Sequence, residues 1–378
     1  MDIENNTTEM KKVFDRGIIN TGNLARIKLV MKRAIAGDAI TIGFIGGSIT
    51  AGALSSSHQT CYAYLVYTWW KERFSMSNVK YINAGIGATD SKFGVARVEE
   101  DMLNKKPDIV FAEFSVNDFN NELLQETFEG LVRRILLYPT EPALFMFNNV
   151  MLDNGNNTQI VHNQVGKFYD IPIVSMKDSI FNEIQKGTFP AAEISSDYLH
   201  PNDLGHKLLA GLITNLLDFI YEEFKQNKIT AELYHVPDNT VTANRFYSAT
   251  VRNGINTIPR RNGFIKDDTI KQNMWDIFKN GWIGRELGSS ICFEVESWMI
   301  AIQYRKYAEH PAPIAKVVIN QDESNAISLD ANFKETWGDC LFLQDIMVSP
   351  KTGKHTVEIV ITEAVEGKDF YLTSVITA

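Results

Sequence analysis

Five short apolar runs punctuate the first 225 residues, at 40–45, 79–84, 109–114, 143–148 and 171–174, and each is followed by a stretch with helical periodicity. A strand in a parallel sheet is covered by helices on both faces, so it reads as a near-continuous apolar run. Strands that alternate with helices therefore predict a parallel sheet between two helical layers. The helical stretches lie at 23–36, 60–74, 92–104, 123–137, 159–169 and 202–225. In the first, Leu24, Ile27, Val30, Met31, Ala34 and Ile35 recur on one face and Gly37 can cap the end. In the second, Tyr64, Tyr67 and Trp70 make an aromatic face that reads as core.

Between residues 226 and 238 the pattern changes. Segments such as SICFEVE, WMIAIQY, AKVVIN, CLFLQDI, HTVEIVI and FYLTSVI cluster or alternate β-formers and are separated by Gly, Pro, Asn and Asp. This predicts an all-β domain of sandwich or jelly-roll type. The domains expected are 1–228, α/β, and 229–378, all-β. Trp275, Trp282, Trp298 and Trp337 in the second are candidates for stacking on sugars, with burial in the core the favoured expectation for each.

The first run empties into Gly46, Gly47, Ser48 and Thr50. The carboxyl edge of an open α/β sheet is where ligands bind, and two glycines ahead of a serine let the chain turn and leave the hydroxyl unshielded. A phosphate loop would need a lysine that does not come until Lys71. The nearest dinucleotide fingerprint, Gly85-Ile-Gly87-Ala-Thr-Asp90, ends in aspartate. An ordinary GxSxG elbow would need glycine where Thr50 stands. A serine nucleophile in another architecture remains.

Other strand ends supply its partners. The second run leads into NAGIGATDS (Asn83 to Ser91), the third into SVND with Asn117, and just before the last helix comes DYLH, with Asp197 three residues ahead of His200. These four blocks, in this order on a βα background, resemble the SGNH hydrolases of the GDSL esterase/lipase superfamily, and the resemblance covers the whole first domain. It implies a flavodoxin-like three-layer fold with Ser48 as nucleophile, His200 as base and Asp197 as its partner. It further implies an oxyanion hole lined by the Ser48 N–H, a backbone N–H of the second block and the Asn117 side chain.

Three departures stand out: Gly47 occupies the aspartate position of the GDS signature, Ser115 the glycine of GxND, and Ala88 the glycine that normally supplies the second-block N–H. Alanine still offers a backbone N–H where its dihedrals permit, and Gly87 is the alternative donor. The chemistry agrees with these roles. A serine hydroxyl needs a base, histidine is the suitable one near neutrality, and a nearby aspartate can fix its tautomer. An amide such as that of Asn117 can donate to developing negative charge. Asp118 reads as structural. His206, His58 and His162 are rival bases, of which His206 on the last helix could face solvent; His200 is preferred for its aspartate. No ligand set for a metal accompanies His200 and His206, and no cofactor is expected.

The 378 residues carry a formal net charge of -9, which disfavours nucleic-acid and anionic-membrane partners, since both call for a basic face. With 44% hydrophobic and 22% charged residues, no N-terminal apolar segment and no long apolar run, a soluble cytoplasmic protein is expected. Cys61, Cys292 and Cys340 are odd in number and widely spaced, as reduced thiols would be. The reading is a serine esterase acting on an acyl, preferentially acetyl, ester of a carbohydrate. The alternatives are a lipid or thioester acylhydrolase with the same triad, and a non-catalytic glycan-binding protein.

Overall fold

The computed structural model describes residues 7–226, 233–272 and 276–378. The chain forms two compact units, one ending at Tyr247 and the other beginning at Ser248. The boundary expected at 228/229 and Trp275 lie outside the described residues.

The first unit is a six-stranded sheet of β1 (Ile18–Asn20), β2 (Ile40–Gly46), β3 (Val79–Gly85), β4 (Ile109–Glu113), β5 (Ala143–Asn148) and β6 (Ile173–Ser175). Their order is β1-β6-β5-β4-β2-β3, with β1 antiparallel to β6 and every other pair parallel. The five apolar runs are thus the five parallel strands. The sequence reading missed β1, whose three residues are too few to carry a period, and also the helix before it, α1 (Thr7–Arg16), although Met10, Val13 and Phe14 recur there at helical spacing and pack on the core.

The helices that follow are α2 (Ala25–Ile35), α3 (Ser48–Ala51), α4 (Tyr62–Arg73), α5 (Ser91–Asp101), α6 (Glu122–Leu136), α7 (Gln159–Phe168), α8 (Asn182–Gln185) and α9 (Asp203–Lys225). Side chains start three of them: Asp90 accepts from the Phe93 N–H, Asn121 from Leu124 and Asn202 from Gly205. Helix α9 buries Leu208, Leu209, Leu212, Ile213, Leu216, Leu217 and Ile220 against the core. Trp70 is fully buried, as the aromatic face predicts.

Residues 233–247 run back along α6. The buried Glu129 carboxylate accepts the Val241 N–H at 2.6 Å, the Thr242 N–H at 2.7 Å, the Thr242 hydroxyl, and the Tyr169 hydroxyl at 2.6 Å. Glu126 holds the backbone N–H and guanidinium of Arg245. Phe246 is fully buried, and Gly130 lets it approach: a Cβ there would lie 3.1 Å from the Phe246 carbonyl carbon.

The second unit is all-β, and each pairing between its strands is antiparallel. Two long strands, Ser290–Lys306 and Cys340–Glu363, pair along most of their length, with register shifts near Ser297 and Ile300. Trp282 and Trp298 are core residues at 1% and 4% exposure, whereas Trp337 stands 61% exposed, edge-on to the Phe333 ring. The three cysteines are buried and unpaired with one another. Among the described residues no helix is long and apolar enough to cross a membrane, and no cluster of three or more His, Cys, Asp or Glu side chains could hold a metal.

Candidate active site

The parallel register brings the loops together. Gly46 at the end of β2 pairs with Gly85 of β3 on one side and Glu113 of β4 on the other, so three strands stop level. Their following loops open on the same edge. Ser48 is the first residue of the single-turn helix α3, not a residue of an open turn; Gly47 precedes it and Gly52, at φ +97°, ends it. Gly85 is required by close approach, since a Cβ there would lie 2.6 Å from the Thr50 carbonyl carbon.

Residues distant in sequence fix this turn. The Asn83 amide donates to the Thr50 carbonyl at 2.7 Å and accepts the Gly85 N–H at 2.9 Å. The Thr50 hydroxyl bonds the Tyr62 hydroxyl at 2.8 Å. Arg97, buried on α5, donates to the Ala84 carbonyl at 2.7 Å and the Gly46 carbonyl at 3.2 Å, binding the ends of β3 and β2 to each other. Nothing local marks Arg97 for this: its carbonyl partners lie 13 and 51 residues upstream.

Ser48 Oγ lies 2.8 Å from His200 Nε2, and His200 Nδ1 lies 2.7 Å from Asp197 Oδ2. The other Asp197 oxygen accepts the Leu199 and His200 N–H groups at 2.9 and 2.8 Å and the Ser195 hydroxyl at 3.1 Å. Burial pushes the Asp197 carboxyl up, but the His200 ring, these two N–H groups and the His200 charge outweigh it and hold the carboxyl at about 2. It is therefore ionised, so Nδ1 carries the ring proton and donates, which leaves Nε2 as the acceptor for the serine hydroxyl. The Leu152 N–H, from the loop after β5, donates to the Tyr198 carbonyl at 2.7 Å and steadies this block. Ser48, His200 and Asp197 thus stand in one hydrogen-bonded row, although Ser48 and His200 are 152 residues apart in the chain.

The other predicted site residues face the same edge. Ala88 has φ +57°, the left-handed conformation that its glycine counterpart adopts without strain. Among the described residues, the N–H groups of Ser48, Gly87 and Ala88 donate to no protein acceptor. Both second-block N–H groups therefore stay open as donors. Asn117 follows β4 in a turn closed by its own N–H and that of Asp118, both donating to the Phe114 carbonyl at 3.0 and 2.9 Å. Among the described residues its side chain makes no hydrogen bond, and its Oδ1 is buried without a partner.

The rival histidines have other occupations. His162 is buried, stacked 3.7 Å from the Phe128 ring, with Nε2 2.9 Å from Asp118 Oδ2. Asp118 also accepts the Ser91 N–H at 2.8 Å and so braces the loop that carries Asn117. His58 is exposed, edge-on to Tyr64. His206 does not face solvent: it is fully buried beneath Tyr62, because the first turn of α9 packs on the chain that follows Ser48.

A family model described as the GDSL-like lipase/acylhydrolase family matches residues 44–208. A solved two-domain esterase active on acetylated mannans, co-crystallised with mannopentaose, is 43% identical over 96% of this chain and 97% of its own, with a TM-score of 0.90. A second structure of a two-domain esterase active on acetylated mannans is 43% identical over 96% of this chain and 98% of its own, with a TM-score of 0.91. The comparison with curated proteins finds no match. Identity at this level over nearly the whole of both chains carries the assignment: the chain belongs to the GDSL-like lipase/acylhydrolase family and is a carboxylic ester hydrolase.

Proposed function

We propose that this protein removes acetyl groups from an acetylated saccharide through an acyl-enzyme on Ser48. His200 Nε2 takes the Ser48 proton as Oγ attacks the ester carbonyl, and Asp197 holds the ring in the required tautomer and stabilises the imidazolium. The carbonyl oxygen, negative in the tetrahedral intermediate, is met by the Ser48 N–H, the Ala88 or Gly87 N–H and the Asn117 amide. His200 then gives its proton to the leaving sugar hydroxyl. Water attacks the acetyl-enzyme with His200 again as base, releasing acetate and restoring Ser48.

The observation that carries the catalytic reading is the Ser48–His200–Asp197 row, at 2.8 and 2.7 Å, set at the level ends of three parallel strands. The choice of substrate is supported by the likeness to an esterase active on acetylated mannans. The test is acetate release from acetylated manno-oligosaccharides, set against p-nitrophenyl esters of increasing chain length. Turnover of the oligosaccharides that vanishes in Ser48→Ala is expected. A preference for long acyl chains, with no acetate from the sugars, would make the protein a lipid acylhydrolase instead.

A further inference from the structure

Asn117 is fixed at its backbone and unattached at its side chain. Its turn is closed by two N–H groups on the Phe114 carbonyl, and the neighbouring Asp118 is anchored to Ser91 and His162. No hydrogen bond, however, sets the direction of the carboxamide, and a carboxamide turned about its last bond would offer an acceptor where the proposed chemistry needs a donor.

What stands against that carboxamide is Gly47. A Cβ built on Gly47 would run into Asn117 Oδ1 and lie 2.9 Å from its Cγ and 3.3 Å from its Nδ2. The backbone does not itself demand glycine here, since φ is −87°, within the range of L-residues. Glycine leaves that volume to the Asn117 amide, the movable end of a side chain that a methyl group at position 47 would push aside. The same position holds the aspartate of the GDS signature in the pattern the sequence resembles, so the departure has a steric counterpart in this chain.

We propose that Gly47 is a positioning residue for the oxyanion amide: the Asn117 carboxamide seats its oxygen against the bare Gly47 backbone, which leaves Nδ2 to face the substrate oxygen. The proposal rests on the role given to Asn117 above. A methyl group at position 47 displaces or rotates the amide, and only the step in which negative charge develops should feel it.

The experiment is a double-mutant cycle on the full chain, with p-nitrophenyl acetate as substrate: Gly47→Ala, Asn117→Ala and the pair. Gly47→Ala should lower kcat by roughly 10² with KM little changed, the loss expected for one oxyanion donor. The double variant should be no slower than Asn117→Ala, because a residue that acts only by aiming the amide has nothing left to aim. Normal kcat in Gly47→Ala overturns the proposal. So do losses that multiply, since they would mean Gly47 acts through the Ser48 N–H or another route. Normal kcat in Asn117→Ala removes that residue from the oxyanion hole and the proposal with it, a failure separable from the other two. If Gly47→Ala does not fold, the double variant must, as the clash is gone; a double variant that also fails to fold overturns the proposal.

Discussion

His206 holds Ala53. Its Nδ1 faces the Tyr62 N–H at 3.3 Å and must accept, so the proton sits on Nε2, which donates to the Ala53 carbonyl at 3.2 Å. With Asp203 accepting the Ser56 N–H at 2.8 Å, this fastens the first turn of α9, just past His200, to the chain just past Ser48. The two halves of the Ser48–His200 row are held in register from below.

Only a neutral ring can accept the Tyr62 N–H at Nδ1, because a protonated ring donates from both nitrogens. Burial pushes the His206 pKa down to about 4, against the opposing effects of Ala53 and Asp203, while the unfolded chain keeps the ordinary value of 6.5. Between these values the unfolded chain takes up a proton that the folded one refuses. Stability from this group is therefore complete above pH 6.5 and is lost as pH falls towards 4, by about 3 kcal/mol at most. Urea midpoints at about pH 7 and about pH 4.5 should differ less in His206→Gln than in the native protein. Equal pH dependence in the two would deny the ring this role.

Asp197 calls for the opposite expectation. With its carboxyl held at about 2, it stays ionised through the whole working range. Its carboxyl should then add no inflection to the acid limb of kcat above about pH 3. Asp197→Asn should cost on the order of 10⁴ in kcat, as in the serine-protease template, because an amide no longer selects the Nδ1–H tautomer. A loss below about tenfold would make the site a Ser-His dyad.

Ala88 bears a strain that glycine would relieve. Left-handed backbone costs an alanine about 1–2 kcal/mol, and the extra freedom of glycine in the unfolded chain returns about 0.5–1. Ala88→Gly should therefore melt at the same temperature or a few degrees higher and keep its kcat. Ala88→Val, β-branched at φ +57°, should lower both. A clear loss of stability in the glycine variant would mean the alanine methyl packs usefully.

Residues 233–247 bear on where the first unit can be cut. A chain ending at residue 226 would strip the Val241 and Thr242 donors from the buried Glu129, remove the Arg245 partner of Glu126 and uncover the Phe246 site. Leaving a buried carboxylate short of its partners costs several kcal/mol. A chain ending at residue 247 should melt well above one ending at 226, by scanning calorimetry. Equal melting temperatures would show that the segment adds nothing.

Trp337 is the exposed tryptophan among those described in the second unit, and it stands edge-on to the Phe333 ring. An exposed indole face can stack on the apolar face of a pyranose. Trp337→Ala should weaken binding of manno-oligosaccharides to the Ser48→Ala protein, measured by calorimetry, and leave kcat on p-nitrophenyl acetate unchanged. Unaltered affinity would assign the ring no part in recognition.

The parallel strands and the groups at their ends were legible because the two signals coincide in sequence. An apolar run announces each strand, and Ser48, Asn117 and the second block follow such runs directly. His200 and Asp197 were found by their mutual spacing. What holds these residues in place was illegible for the converse reason. Arg97 reaches back to Gly46, Glu129 reaches forward by more than a hundred residues to Val241, and His206 is buried by a loop from the other end of the unit. No local period encodes a polar side chain whose partners arrive from elsewhere in the fold.

The path of residues 233–247 also constrains how such a two-part chain can be inherited. A genetic exchange that replaced the all-β unit at the end of α9 would carry away residues that α6 needs, and the recipient would inherit a catalytic unit with an open seam. Recombination can shuffle these modules without loss only if its breakpoint falls after Tyr247, so residues 233–247 travel with the esterase.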